Sequence, residues 1–259
     1  MPSNNDIMFF MKTERIDKVL AKHGFGTRKE VKKLLHAGLV TVNDNVVTSQ
    51  DYKIDLENDI LFVEDEKINL RTNLYIMMNK CQNVVCSSKD GLHRTVFDLL
   101  REEDNHSFMG GDLHCTGRLD IDTEGFLILT TDGALTHKLI SPKSEISKKY
   151  AVTLRDSVSP ENQADYIKQC ETGIEIPPEG NEAGFTSLPA KLEFTSENTC
   201  NLTITEGKYH QVKRMMAALG NEVVFLKRTA IGNLELDSSL QPGEYRELSS
   251  DEINAIFSL

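Results

Sequence analysis

No stretch of this sequence approaches the ~18 consecutive apolar residues that a membrane-spanning helix requires. The apolar run at residues 7–11 is too short for the core of a secretory signal, and no basic region precedes it. No CxxC pair occurs among the cysteines, which are odd in number and scattered at Cys81, Cys86, Cys115, Cys170 and Cys200. That pattern argues against a disulfide framework or a zinc knuckle, and for small buried thiols in a reduced, cytoplasmic compartment. A GxSxG elbow, a P-loop and a dinucleotide-binding glycine fingerprint are missing, which removes the commonest acyl-transfer and nucleotide-binding readings. Excess positive charge is missing too. Against 40 Asp+Glu stand 29 Lys+Arg, for a net charge of -11, so bulk electrostatics do not draw this chain to nucleic acid. There is no internal repeat and no low-complexity tract. What remains is 259 residues, 39% hydrophobic and 27% charged, a composition and length that suit a folded globular chain with a large and a small domain.

The charge is unevenly placed. Residues 12–50 carry eight Lys/Arg against four acids, whereas residues 51–73 carry seven acids against three bases. This shift predicts a small basic module, residues 12–58, and an acidic connector, residues 59–73, behind a short extension at residues 1–11. Within the module, Ile16, Val19 and Leu20 recur at helical spacing and Gly24 supplies a stop. Thr27 is an N-cap candidate with Glu30 three residues on, completing a capping box. The helix that follows turns Val31, Leu34 and Leu35 inward and Arg28, Lys29, Lys32 and Lys33 outward, up to Gly38. LVTVNDNVV then predicts a hairpin about Asn43-Asp44. A lysine-rich helix face is most often simply solvated; four bases within six residues after a Gly-bounded turn equally suit a phosphate backbone. The pattern R-I-D-K-V-L-A…G-x-x-T-R-x-x-V-x-x-L-L-x-x-G-L-V-x-V-N, over about residues 13–58, closely resembles the S4 RNA-binding module, with Thr27 where relatives often have Ser. The resemblance implies a compact helical-plus-hairpin fold that meets structured RNA through Arg15, Arg28, Lys29, Lys32 and Lys33.

From Leu74 onward the pattern is strand-rich, and residues 74–259 are read as one domain. LYIMMNK, FLILTTD, KYAVTL, AKLEFT, NLTITE and EVVFLKRTAI predict strands. TVFDLLRE, GALTHKLIS, PENQADYIKQCE, YHQVKRMMAALG and SDEINAIF predict helices. Several strands lie too close in sequence for crossover helices. The expected class is therefore α+β, with a mixed, largely antiparallel sheet flanked by helices.

Two segments concentrate polar chemistry. Gly117-Arg118-Leu119-Asp120-Ile121-Asp122-Thr123-Glu124-Gly125 is a glycine-bounded loop delivered onto an apolar strand, a rigid mount for a reactive side chain. Its alternating acids lack the offsets of a calcium loop, and Arg118 opposes a cation, so no metal is expected. Taken alone, the loop also reads as a turn whose acids cap nearby amides. In Glu206-Gly207-Lys208-Tyr209-His210-Gln211-Val212-Lys213-Arg214-Met215-Met216, bases gather where an amphipathic helix begins, a place for phosphate or carboxylate.

Together, G-R-L-D-I-D-T-E-G-F-L-I-L-T-T-D-G and E-G-K-Y-H-Q-V-K-R-M resemble the signature pair of the small-subunit-rRNA type of pseudouridine synthase, in which an S4 module in front is usual. S-P-K at 141–143, K-K-Y-A-V-T-L at 148–154 and P-G-E-Y-R-E-L at 242–248 agree. One departure is Asn79-Lys80-Cys81-Gln82-Asn83, where the family commonly has N-K-P-x-G. The resemblance implies isomerisation of a uridine in ribosomal RNA (16S, with the 23S-directed sister group and a non-catalytic assembly factor as alternatives), without a cofactor, by a cytoplasmic monomer with no membrane partner. It implies Asp120 as the catalytic carboxylate, acting at C1′ or C6 or through a glycal-like intermediate. Lys213, or its neighbour Arg214, would be the cation that keeps Asp120 ionised, and Tyr150 the active-site aromatic. Arg118, Lys208 and Arg214 would contact RNA while the target base is extruded.

Overall fold

The computed structural model describes residues 13–56, 58–68, 70, 73–101 and 113–257; the expected extension at residues 1–11 and the last residue of the expected helix TVFDLLRE lie outside them. The chain forms two units, described in turn.

The first unit opens with β1 (Thr13–Arg15), which runs directly into α1 (Ile16–Lys22). Gly24, at φ 84°, turns the chain after α1, and α2 (Arg28–His36) follows. The Thr27 hydroxyl accepts the Glu30 N–H while the Glu30 carboxylate accepts the Thr27 N–H, so the capping box forms. Strands β2 (Val40–Val42) and β3 (Asn45–Val46) make the hairpin. Asn43 and Asp44 both have positive φ, as a two-residue turn that follows the strand twist requires. Next come β4 (Lys53–Asp55), paired with β1, then β5 (Leu61–Val63) and β6 (Glu66–Ile68). The sheet order is β3-β2-β5-β6, all antiparallel. The acidic segment expected as a connector thus supplies two strands of this sheet: Leu61 and Val63 face the core, and the charges of Glu64, Asp65 and Glu66 sit outside on the turn and strand edge. Ile16, Leu20, Val31, Leu35, Val40 and Leu61 fill the core of this unit.

The second unit begins with β7 (Tyr75–Lys80), β8 (Val84–Val85), β9 (Arg94–Thr95), β10 (His114–Cys115), β11 (Glu124–Thr130), α3 (Gly133–Ile140) and β12 (Lys148–Leu154). It continues through α4 (Pro160–Thr172), β13 (Glu175–Ile176), β14 (Phe185–Thr186), β15 (Lys191–Phe194), β16 (Thr199–Ile204) and α5 (Gln211–Ala218). It ends with β17 (Val223–Ile231), β18 (Leu234–Glu235), β19 (Tyr245–Glu247) and α6 (Ser250–Phe257). The main sheet has the order β15-β16-β12-β17-β11-β7-β19, with β10 on β11 and β18 on β17. Among the described residues of this sheet only β11 and β17 pair in parallel, so it is mixed and largely antiparallel, as the crowded strand spacing requires. Met77, Phe126, Ile128, Leu135, Leu139 and Ile231 are buried together between the sheet and its helices. TVFDLLRE does not extend into an α-helix: Thr95 and Asp98 form a reciprocal cap around a single 3-10 turn, Val96–Leu99. Among the described residues no helix is long and apolar enough to cross a membrane.

Candidate active site

The parallel β11–β17 contact positions everything that follows. Gly125 lies opposite Arg228 in that pairing. It has φ 100°, and a Cβ there would come within 2.2 Å of the Arg228 carbonyl oxygen. Only glycine lets the end of the polar loop press against β17.

Ahead of Gly125 the chain turns tightly, with the Thr123 N–H donating to the Asp120 carbonyl at 3.1 Å. The turn is built around Lys80, which is fully buried at the end of β7. Its ammonium donates to the carbonyls of Thr123 (2.8 Å), Asp120 (3.0 Å), Cys81 (3.1 Å) and Ile121 (3.4 Å). Burial pushes the Lys80 pKa down, against the opposing pull of nearby thiols and of Asp120 and Asp122. In the departure after Lys80, Asn83 takes a left-handed φ of 63°, a conformation that asparagine tolerates. Its N–H then donates to the Ile121 carbonyl at 2.8 Å, binding this turn to the polar loop.

With its backbone so held, Asp120 presents a carboxylate that is 31% exposed at a cavity of about 260 Å³. Lys213, in α5, reaches Asp120 Oδ2 at 3.1 Å and Asp122 Oδ1 at 2.6 Å. Burial lowers the Lys213 pKa, but hydrogen bonds to Asp122 and Asp120 outweigh it and hold the ammonium above its ordinary range. For Asp122 burial acts upward and is overcome by Lys213, so its carboxyl titrates below the usual range. His210 precedes the helix in a left-handed conformation, stacks on Tyr209 and brings Nε2 to 3.7 Å from Asp120 Oδ1. The segment before α5 is pinned by Gln211, which accepts the Lys208 N–H at 2.9 Å and donates to Glu206 at 2.6 Å. A register shift between Lys149 and Tyr150 in β12 breaks the pairing with β17 where Tyr150, only 8% exposed, enters the cavity wall.

The residues named from the sequence separate into three groups. Asp120, Tyr150, Arg118 and Lys208 line one cavity, with Lys213 bonded to Asp120. Arg118 is exposed, and Lys208 lies 3.8 Å over the Phe185 ring and 3.3 Å from Glu206. Arg214 points elsewhere: it is 6% exposed and donates to the carbonyls of Pro177 and Ala183 at 2.8 and 3.1 Å, bracing the 177–185 loop. In the first unit, Arg28, Lys29, Lys32 and Lys33 are all exposed on α2. Arg15 clasps Asp17 with two bonds, at 3.0 and 2.9 Å, and meets Asp51 at 2.6 Å, so its charge is shared within its own module. The roles of Lys80 and Asn83 escape a reading of the sequence. The N-K dipeptide closing an apolar strand was the available signal for the first.

Two family models match the chain: that of RNA pseudouridylate synthase over residues 74–218, and that of the S4 domain over residues 14–61. A ribosomal small subunit pseudouridine synthase A of Vibrio cholerae is 45% identical over 94% of this chain and 99% of its own length. A Bacillus subtilis protein named as an uncharacterized RNA pseudouridine synthase, YtzG, is 43% identical over 93% of this chain and 98% of its own. Among solved structures, a crystal structure of a pseudouridylate synthase aligns with a TM-score of 0.63 and 40% identity, covering 93% of this chain and 99% of the other.

Proposed function

The chain belongs to the RNA pseudouridylate synthase family, and we propose that it isomerises one uridine of small-subunit ribosomal RNA to pseudouridine, with Asp120 as the reacting carboxylate. The observation that carries this reading is the Asp120–Lys213 ion pair at the mouth of a cavity walled by Tyr150. A carboxylate that attacks carbon, or that removes a ribose proton, must stay ionised while partly removed from water. Lys213, 3.1 Å away, supplies a counter-charge to the Asp120 carboxylate.

The uridine has to leave its stack to reach the carboxylate, at a cost of roughly a few kcal/mol. Exposed Arg118 and Lys208 at the rim are placed to hold phosphate or a displaced neighbour during that step. Tyr150 stacks on the freed uracil and assists loss of the C5 proton. The bases of α2 give the RNA a second anchor, through phosphates and shape rather than base edges. Since uridine and pseudouridine contain the same atoms, the reaction balances without a redox partner. The small-subunit assignment rests on the name of the Vibrio cholerae relative.

The test is to delete the gene and map pseudouridines across both ribosomal RNAs by carbodiimide-stop primer extension. One site lost from the small-subunit RNA, restored by the wild-type gene and not by Asp120→Asn, is the expected result. A lost site in the large-subunit RNA would redirect the substrate. No lost site, or tritium release from [5-³H]uridine RNA by Asp120→Asn, would overturn the reading.

A further inference from the structure

Arg228 lies in β17 opposite both Gly125 of β11 and Tyr150 of β12. It lines the same cavity as Asp120 and is 4% exposed. Its Nε–H is spent on the Phe126 carbonyl at 2.7 Å. Its Nη2 is buried with no hydrogen-bond partner. Among the described residues no carboxylate pairs with this guanidinium. The groups that feel its charge are the thiols of Cys86 and Cys115 and the amine of Lys148, whose pKa falls through burial and then through Arg228 itself.

A buried cation without a counter-charge is expensive to keep, and a buried donor left unpaired adds to the cost. Of the other cations around the site, Lys80 is committed to four carbonyls, Lys213 to two carboxylates and Arg214 to the 177–185 loop, Lys148 donates to the Ile146 carbonyl, and Arg118 and Lys208 are exposed at the rim. The Nε of Arg214 makes no hydrogen bond either, but of these two arginines it is Arg228 that lines the cavity. The Thr123 hydroxyl, also buried and unpartnered, lines the same space.

We propose that Arg228 is a catalytic residue whose free Nη2–H donates to a carbonyl oxygen of the flipped uracil and holds the negative charge that the base carries during isomerisation. The inference rests on the reading of this cavity as a uridine-isomerising site. When the C1′–N1 bond breaks, its electron pair leaves with the base, and the charge spreads from N1 onto O2 and O4. That charge is returned as C5 bonds to C1′, after which C5 gives up its proton to a base. If the carboxylate instead adds at C6, the displaced electrons move through C5 onto O4. On either route a carbonyl oxygen gains charge, and a fixed donor shielded from water stabilises it more than solvent would.

The decisive measurement is single-turnover tritium release from [5-³H]uridine ribosomal RNA by wild type and by Arg228→Gln and Arg228→Lys. Both variants are expected to be about 10²–10³-fold slower with unchanged RNA affinity, the scale of losing one preorganised donor, and the rates are compared below each variant's own melting temperature because the Nε–H bond to the Phe126 carbonyl is also lost. Ethylguanidinium should restore part of the rate to Arg228→Ala. A wild-type rate in Arg228→Gln would overturn the role. Should the variants not fold, wild-type enzyme decides: with 2-thiouridine or 4-thiouridine at the mapped position, at least one sulfur, a poor acceptor, should slow conversion, and no slowing by either would overturn it. Wild type that releases no tritium from any ribosomal RNA would instead refute the proposed activity itself.

Discussion

Lys80→Met keeps the reach of the side chain and deletes the ammonium shared by three carbonyls of the Asp120 turn and that of Cys81. Two of those oxygens retain a donor: Asp120 keeps the Thr123 N–H, and Ile121 keeps the Asn83 N–H. The carbonyls of Thr123 and Cys81, at 2.8 and 3.1 Å from Nζ, lose theirs. At about 1–3 kcal/mol for each buried acceptor stranded, the loss is roughly 2–6 kcal/mol. The methionine also escapes the desolvation that depresses the Lys80 pKa, which offsets part of it. A net destabilisation of about 2–3 kcal/mol lowers Tm by roughly 4–12 °C for a body of this size. The effect on rate should be larger than the effect on fold. A displacement of about 1 Å in the Asp120 backbone is enough for ~10²-fold. Calorimetry measures the first quantity, and single-turnover tritium release well below the variant's Tm measures the second. Turnover at the wild-type rate by folded Lys80→Met would refute the positioning argument. There is a pH signature as well. The unfolded chain binds the Lys80 proton more tightly than the folded one, so wild type gains stability as pH rises from the lowered folded value toward 10.5, and its margin over the variant widens there.

Lys213→Met should reduce turnover far more than Lys213→Arg, which preserves a cation between Asp120 and Asp122. It should also remove the stabilisation that Asp122 contributes above the ordinary carboxylate range and loses as pH falls through its lowered folded value, so acid-unfolding curves of wild type and variant converge at low pH. Gly125→Ala forces a Cβ to 2.2 Å from the Arg228 carbonyl and should cost more than about 4 kcal/mol, read as a collapse in Tm or soluble yield. Replacing Arg28, Lys29, Lys32 and Lys33 by Gln should weaken RNA binding and reduce the slope of log affinity against log salt by about 0.7–0.9 for each phosphate no longer neutralised. Turnover of RNA already bound should be unchanged in that variant.

The local devices were legible because they are local. A capping box needs only Thr27 and Glu30 three residues apart, and the hairpin needs only Asn43-Asp44 between β-branched runs. The central strands announced themselves by apolar runs, and the resemblance brought Asp120, Tyr150 and Lys213 forward together. What stayed hidden depends on distant chain. Lys80 reads as the polar end of a strand until the fold wraps the carbonyls of residues 120–123 around it. Lys213 and Arg214 are adjacent in sequence, yet a helix turns them about 100° apart, so one meets Asp120 and the other Pro177. Charge counting made residues 59–73 a connector because the acids of a tight turn outweigh two short strands whose apolar residues face inward.

The parallel seam between β11 and β17 joins residues 103 positions apart, Gly125 and Arg228. Closing so long a segment is slow compared with forming hairpins, and on the ribosome it cannot begin until β17 has been made. Translation at about 5–20 residues per second leaves the Asp120 loop waiting roughly 5–20 s for Lys213 and Arg228 to emerge. A nascent or truncated chain therefore holds its carboxylate without either cation. On the proposed reading, the pocket around Asp120 is complete only once the chain has been made through Arg228, so a partly synthesised copy has no means of turning over RNA.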